Sequence, residues 1–180
     1  MVVSEFIAAL TQLMPTDRVY TDPVDCYAYA YDNSRNYHAP IAVVFPLTVE
    51  EVQSVIQLCN QHKVPVVPRG RGTGTAGGSV PEAGGVALSM ERMNKIISID
   101  EKNCCAEVEP GVILDVLNKE LEKFNLYFPP NISPSNRATI GGMVNTDACG
   151  KGSCVNGRTS DNIEDLSLHL LCEEKVISSK

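Results

Sequence analysis

The stretch Arg69-Gly70-Arg71-Gly72-Thr73-Gly74-Thr75-Ala76-Gly77-Gly78 holds the densest chemistry in this sequence. Five glycines in ten residues cannot pack a core. Without a Cβ, successive backbone N–H groups are free to turn toward one centre and form a nest for a bulky anion. Thr73 and Thr75 can add hydroxyl donors, and Arg69 or Arg71 can add positive charge. The ligand chemistry that fits is a diphosphate; the alternative is a plain surface loop. No Gly-Lys-Ser/Thr follows, so this is not a Walker A loop. No helix starts directly after Gly74 and Pro81 lies close by, so it is not the dinucleotide fingerprint either.

A second segment runs Ser135-Asn136-Arg137-Ala138-Thr139-Ile140-Gly141-Gly142-Met143-Val144-Asn145-Thr146. Thr139 is placed to N-cap a helix from Ile140 to about Ala148, which puts two adjacent glycines in its first turn. Each costs about 1 kcal/mol relative to alanine. Bare backbone at a helix N-terminus can seat a phosphate; close packing of the helix on a neighbouring segment asks for glycine equally. A third glycine-bearing loop spans Gly150 to Gly157. His38, His62 and His169 are isolated and read as surface or packed residues. The seven cysteines lack CxxC spacing, and no export signal precedes them. Reduced thiols in a cytoplasmic protein follow, with no metal site.

The elements that must hold these loops are legible in outline. Phe6, Ile7, Leu10, Leu13 and Met14 fall on one face of an N-terminal amphipathic helix. Residues 15–40 read as an irregular lead-in, with a turn at Asp32-Asn33-Ser34-Arg35-Asn36. Ile41–Phe45 is a buried strand. Thr48 and Glu51 form a capping-box pair opening a helix whose Val52, Val55, Ile56 and Cys59 face inward. Val64–Val67 is the next strand, so the unit reads as strand–helix–strand with parallel strands. Strands follow at Val86–Leu88, at Ile96–Ile99 paired with Cys105–Val108, and at Leu166–Leu171. A helix spans Val112–Phe124. This is an α+β chain: a lead-in at 1–40, a small βαβ lobe at 41–100, and a second, larger lobe of mixed sheet and helices at 101–180.

The 180 residues carry a net charge of −7, 43% hydrophobic and 21% charged residues, which are ordinary globular values. The acidic balance gives no support to nucleic acid as a partner. No apolar run approaches the ~20 residues that cross a bilayer.

Four motifs occur in order: Val43-Val44-Phe45-Pro-Leu-Thr-Val-Glu-Glu-Val; Pro68-Arg-Gly-Arg-Gly-Thr-Gly-Thr; Ala138-Thr-Ile-Gly-Gly-Met-Val-Asn-Thr-Asp-Ala-Cys-Gly; and Gly157-Arg-Thr-Ser-Asp161-Asn-Ile163. Together they resemble the FAD-binding domain of the vanillyl-alcohol oxidase and p-cresol methylhydroxylase (PCMH-type) family. The branch they are most similar to holds D-lactate, glycolate and D-2-hydroxyglutarate dehydrogenases. Asp32-Asn33-Ser34 and Ser135-Asn136-Arg137-Ala138-Thr139 resemble the large FAD and iron–sulfur members.

The resemblance implies a two-lobed FAD-binding fold. Arg69, Gly70, Arg71, Gly72, Thr73, Gly74 and Thr75 would wrap the FAD diphosphate. Gly141, Gly142 and Asn145, with Ser135 and Thr139 of the same motif, would lie along the diphosphate and the flavin edge. Gly150, Gly157, Asp161 and Ile163 would line the adenosine or ribityl side. Some relatives carry a flavin-linked histidine in the first loop; Thr73 stands at that place, so the FAD is expected to be non-covalent. The whole enzyme would oxidise a D-2-hydroxy acid by hydride transfer to flavin. Family members continue past the last strand into further strands and a substrate-binding cap. The C-terminal part is therefore expected to be missing here, along with the catalytic residues, which stay unknown. Two alternatives remain open at this point: a non-catalytic flavin- or protein-binding module, dimeric through an exposed sheet edge, and a flavoenzyme like the cell-wall-precursor reductase.

Overall fold

Two compact units make up the chain, Met1–Arg92 with His169–Glu174 and Met93–Leu168 with Lys175–Lys180. The computed structural model describes residues 2–170 and 173–177. The division falls after Arg92, and the hairpin that the sequence reading cut at residue 100 belongs whole to the second unit.

The first unit begins with helix α1 (Val2–Leu13) and the two-residue strand β1 (Val19–Tyr20). The short helix α2 (Pro23–Cys26) is capped by the Asp22 carboxylate, which accepts from the Val24 N–H at 2.8 Å. Then come β2 (Ala42–Val44), α3 (Val49–His62), β3 (Val66–Arg69) and β4 (Val86–Ser89). The sheet order is β1-β2-β4-β3, with β2, β4 and β3 parallel and β1 antiparallel to β2. The expected parallel strand–helix–strand is present, but its two strands are not neighbours: β4 lies between them. The central strands β2 and β4 are buried at every position, which is why β2 and the Val86–Leu88 part of β4 read as continuous apolar runs.

The start of α3 is over-determined. Thr48 Oγ1 accepts the Glu51 N–H at 3.3 Å. The Glu51 carboxylate accepts the Thr48 N–H, which completes the capping box, takes the Leu47 N–H at 2.8 Å as well, and clamps Arg18 with two hydrogen bonds of 2.6 and 2.8 Å. Val52, Val55 and Cys59 are buried, and Ile56 only partly. On α1 the buried residues are Phe6 and Leu10, with Met14 just past its end; Leu13, expected on that face, is 41% exposed. Residues 15–40 are mostly irregular as expected, yet they are anchored. β1 joins the sheet, and the Tyr20 and Tyr29 rings pack edge-on against Phe45 at 4.8 and 5.5 Å.

In the second unit β5 (Ile96–Asp100) and β6 (Cys105–Val108) form the antiparallel pair the sequence suggested. Helix α4 covers Leu114–Leu121, shorter than the expected 112–124. Ile113 is held extended by its bridge to Thr139, and a 3-10 turn replaces the last residues, Glu122–Phe124. Leu114, Leu117 and Leu121 of α4 meet Ile140 and Met143 of α5 (Ile140–Asn145) in one core. α5 stops at Asn145, because Asp147 turns left-handed at φ +44°. The turn of helix α6 is Ser153–Asn156. β7 (Leu168–Leu170) pairs with β8 (Glu173–Ile177); Leu171, expected as the end of β7, lies outside the described residues. No described helix is long and apolar enough to cross a membrane.

Candidate functional site

In the first unit the glycine loop leaves the end of β3, a parallel strand. Its two arginines have different surroundings. The Arg69 side chain is buried. Its Nη2 donates to the Tyr31 carbonyl at 2.7 Å and to the Ala28 carbonyl at 3.4 Å. Its Nη1 donates to the Ser79 carbonyl at 3.1 Å, and the guanidinium carbon sits 5.6 Å from the centre of the Tyr29 ring. Burial pulls its pKa below the ordinary value, against the attraction of Asp32 and Glu91. Arg69 is thus the internal brace of the loop. Arg71 is exposed, 3.9 Å from Glu91.

The loop is fastened from outside by the Asp32-Asn33-Ser34 turn. The Asn33 N–H donates to the Gly74 carbonyl at 3.0 Å, and its side-chain amide donates to the Thr73 carbonyl at 3.3 Å. Asp32 Oδ2 accepts from Ser79 Oγ at 3.2 Å, and Oδ1 accepts the Ser34 N–H at 2.7 Å. Burial pushes the Asp32 carboxyl up, but these hydrogen bonds outweigh it and hold the group below the usual range. Sequence reasoning found Asp32-Asn33-Ser34 as a turn and missed its task. The available signal was the spacing of a carboxylate two residues before a serine, which is that of an Asx-turn.

The bonds that fix the loop use its carbonyls and leave its N–H groups. From Gly72 to Ala76, no backbone N–H donates to a backbone carbonyl among the described residues. The Thr73 and Thr75 hydroxyls make no hydrogen bond among them either. Gly72 has φ +63°, and a Cβ there would collide with the Arg69 guanidinium. Gly74 is different: a Cβ there would meet nothing within 4 Å. The backbone at Gly74 therefore faces open space.

The second unit is arranged otherwise. Thr139 is buried, and its Oγ1 accepts the Gly142 N–H at 3.3 Å. The Gly141 N–H donates to the Pro110 carbonyl at 2.8 Å, and the Ile140 N–H to the Val112 carbonyl at 2.8 Å. The first N–H groups of α5 are all taken within the unit. A Cβ on Gly141 would lie 2.6 Å from Pro110 Cβ, so close packing explains this glycine. Asn145 presents an exposed amide one helical turn on. Gly150 N–H is held by Ser153 Oγ at 2.9 Å. After Gly157, Asp161 Oδ2 accepts the Arg158 N–H at 2.8 Å, which makes Asp161 a loop cap; Ile163 follows, half-buried. Ser135, whose carbonyl accepts the Asp115 N–H, lines a cleft of about 280 Å³ with Leu114, Asn118, Phe128 and Lys151. Among the described residues, no three His, Cys, Asp or Glu side chains are grouped to hold a metal.

A glycine loop at the end of a parallel strand, rich in unengaged N–H groups, can receive an anion such as a diphosphate. The family model described as "FAD binding domain" matches residues 40–178, and the chain belongs to this family; FAD is the cofactor of such domains. The D-2-hydroxyglutarate dehydrogenase of Pseudomonas putida is 38% identical over 178 residues, which are 97% of this chain and 18% of that enzyme. The glycolate oxidase subunit GlcD of Bacillus subtilis is 38% identical over 143 residues, 79% of this chain and 30% of the relative. The chain thus spans less than a third of the length of either. Among solved structures, p-cresol methylhydroxylase with substrate bound is 31% identical with a TM-score of 0.74, over 83% of this chain and 30% of that one. These likenesses bear out the PCMH-type resemblance.

Proposed function

We propose that this chain holds FAD, non-covalently, for a flavin-dependent dehydrogenase that oxidises a D-2-hydroxy acid. The observation that carries the binding reading is the run of free N–H groups from Gly72 to Ala76 around an open Gly74. In this reading the backbone of Gly70 to Thr75 receives the diphosphate, helped by the Thr73 and Thr75 hydroxyls and the Arg71 charge. Arg69 acts from inside, keeping the loop in its nest shape. In the second unit Gly141 and Gly142 offer bare Cα surface rather than donors, and Asn145 offers its amide. Gly150, Gly157 and Asp161 shape the loop that bears Ile163. FAD, when bound, supplies the hydride-accepting chemistry; the protein binds and orients it. Support for the substrate class comes from the names of the relatives, a dehydrogenase of D-2-hydroxyglutarate and a glycolate oxidase subunit. Support for the non-covalent mode is that the loop from Arg69 to Gly78 has no His, Cys or Tyr.

Calorimetric titration with FAD, FMN and riboflavin tests the reading. A diphosphate site binds FAD at least ~10-fold more tightly than riboflavin, since one charge-assisted hydrogen bond is worth about 1.5–3 kcal/mol. Equal affinities would remove the diphosphate from the account. Acid precipitation of the loaded protein leaves free FAD in the supernatant; flavin in the pellet would contradict the non-covalent mode.

A further inference from the structure

We infer that Glu91 is a positioning residue that restrains Arg71 and so sets how strongly the glycine loop attracts an anion; the inference rests on the diphosphate reading above. Arg69 does not present its N–H groups to a ligand, because its guanidinium is buried and donates to the carbonyls of Ala28, Tyr31 and Ser79. That leaves Arg71 as the loop arginine facing solvent, its side chain 39% exposed. Its partner Glu91 sits in the 3-10 turn Met90–Arg92, directly after the strand paired in register with the base of the loop.

The carboxylate is anchored independently of Arg71. Glu91 Oε1 accepts the Tyr29 hydroxyl at 2.8 Å, and Oε2 faces Arg71 Nε at 3.9 Å. The neighbouring Arg92 guanidinium lies 4.8 Å over the Phe45 ring and reaches toward Asp17 at 4.0 Å. Glu91 is therefore an anchored negative charge with a long contact to a partly exposed cation. At 3.9 Å, with the Arg71 side chain 39% and the Glu91 side chain 23% exposed, this ion pair is weak enough to be exchanged for a diphosphate oxygen. Part of the charge that Arg71 brings to an anion is held back until the exchange occurs.

The test is a double-mutant cycle read as FAD affinity, with thermal melting as a check that each variant is folded. Glu91→Gln keeps an acceptor for the Tyr29 hydroxyl and removes the charge. It should tighten FAD about two- to five-fold, the range expected for an exposed ion pair. Arg71→Met should weaken FAD, and Glu91→Gln placed on Arg71→Met should then change affinity less than 1.5-fold or so. An equal gain from Glu91→Gln in both backgrounds would mean simple repulsion between carboxylate and ligand, and would overturn the inference. So would an unchanged or weaker FAD affinity in the single Glu91→Gln variant. Failure of the underlying reading is visible separately, in the wild type, as equal binding of FAD and riboflavin.

Discussion

Two glycines two residues apart in the same loop should respond to substitution in opposite ways. Gly74 faces open space and its φ lies outside the left-handed region, so Gly74→Val asks nothing of the folded chain. Its effect on stability should stay within about 0.5 kcal/mol, the usual range for surface changes. The branched side chain would stand where a ligand must approach the N–H groups of residues 72–76. Losing even one charge-assisted N–H bond to phosphate costs about 1.5–3 kcal/mol, or about ten- to 150-fold in FAD affinity. Gly72→Ala acts on the fold instead. The left-handed φ of +63° costs a Cβ-bearing residue ~1–2 kcal/mol, and the new methyl displaces the Arg69 guanidinium from its buried carbonyls. A total of about 2–4 kcal/mol lowers Tm by roughly 5–15 °C in a chain of this size. The assay is a paired measurement on each variant: Tm by calorimetry and FAD Kd by fluorescence titration. Gly74→Val with wild-type Tm and wild-type Kd would refute the assignment of this loop to the diphosphate. Gly72→Ala with an unchanged Tm would refute the bracing role of Arg69.

The Arg18–Glu51 clamp makes stability depend on acid. The hydrogen bond from Arg18 holds the Glu51 carboxyl below its ordinary value of 4.5, so its contribution is present above that value and is lost as pH falls through the folded-state pKa. Urea midpoints should drop as pH is taken from about 5 toward about 2, and Glu51→Gln should flatten that slope; equal slopes in the two proteins would show that the clamp does not titrate with folding. The thiols give a second check: all seven cysteines should react with a thiol reagent once the chain is denatured without reductant. In the native protein Cys104, Cys149 and Cys154 should react fast, while Cys26 and Cys59 lag, since both are buried and burial pushes the Cys59 thiol up to about 12. Rapid native modification of Cys59 would mean that the α3 face is not packed as described.

What the sequence made legible is what repeats along the chain. The inward positions of α3 recur at helical spacing, and β2 and Val86–Leu88 of β4 are unbroken apolar runs, so their existence and burial follow from residue type alone. β1 is two residues long, below any period, and it is held by partners far off in sequence: Phe45 against Tyr20, and Glu51 against Arg18. Likewise, the parallel sense of β2 and β3 follows from chain order, but the insertion of β4 between them is decided by long-range pairing.

The glycines and arginines of the candidate site mark a sharper boundary. In sequence, Gly72, Gly74 and Gly141 are the same residue in similar company, and all three read as phosphate-contacting backbone. In the structure Gly72 is required by a left-handed turn over Arg69, Gly141 by the approach of Pro110, and Gly74 by nothing in the folded chain. A glycine that the fold itself does not need, in a loop whose N–H groups have no backbone partner, is the stronger functional signal of the three. Gly141, whose N–H is already bonded to Pro110, is the weakest. The same separation applies to charge. Arg69 and Arg71 look interchangeable two residues apart, yet one is bonded to three carbonyls and the other is tethered to a carboxylate at 3.9 Å. Donors consumed by the scaffold cannot also contact a ligand, so the groups of this loop left to meet an anion directly are Arg71 and the open N–H groups, with the Glu91 carboxylate competing for the first.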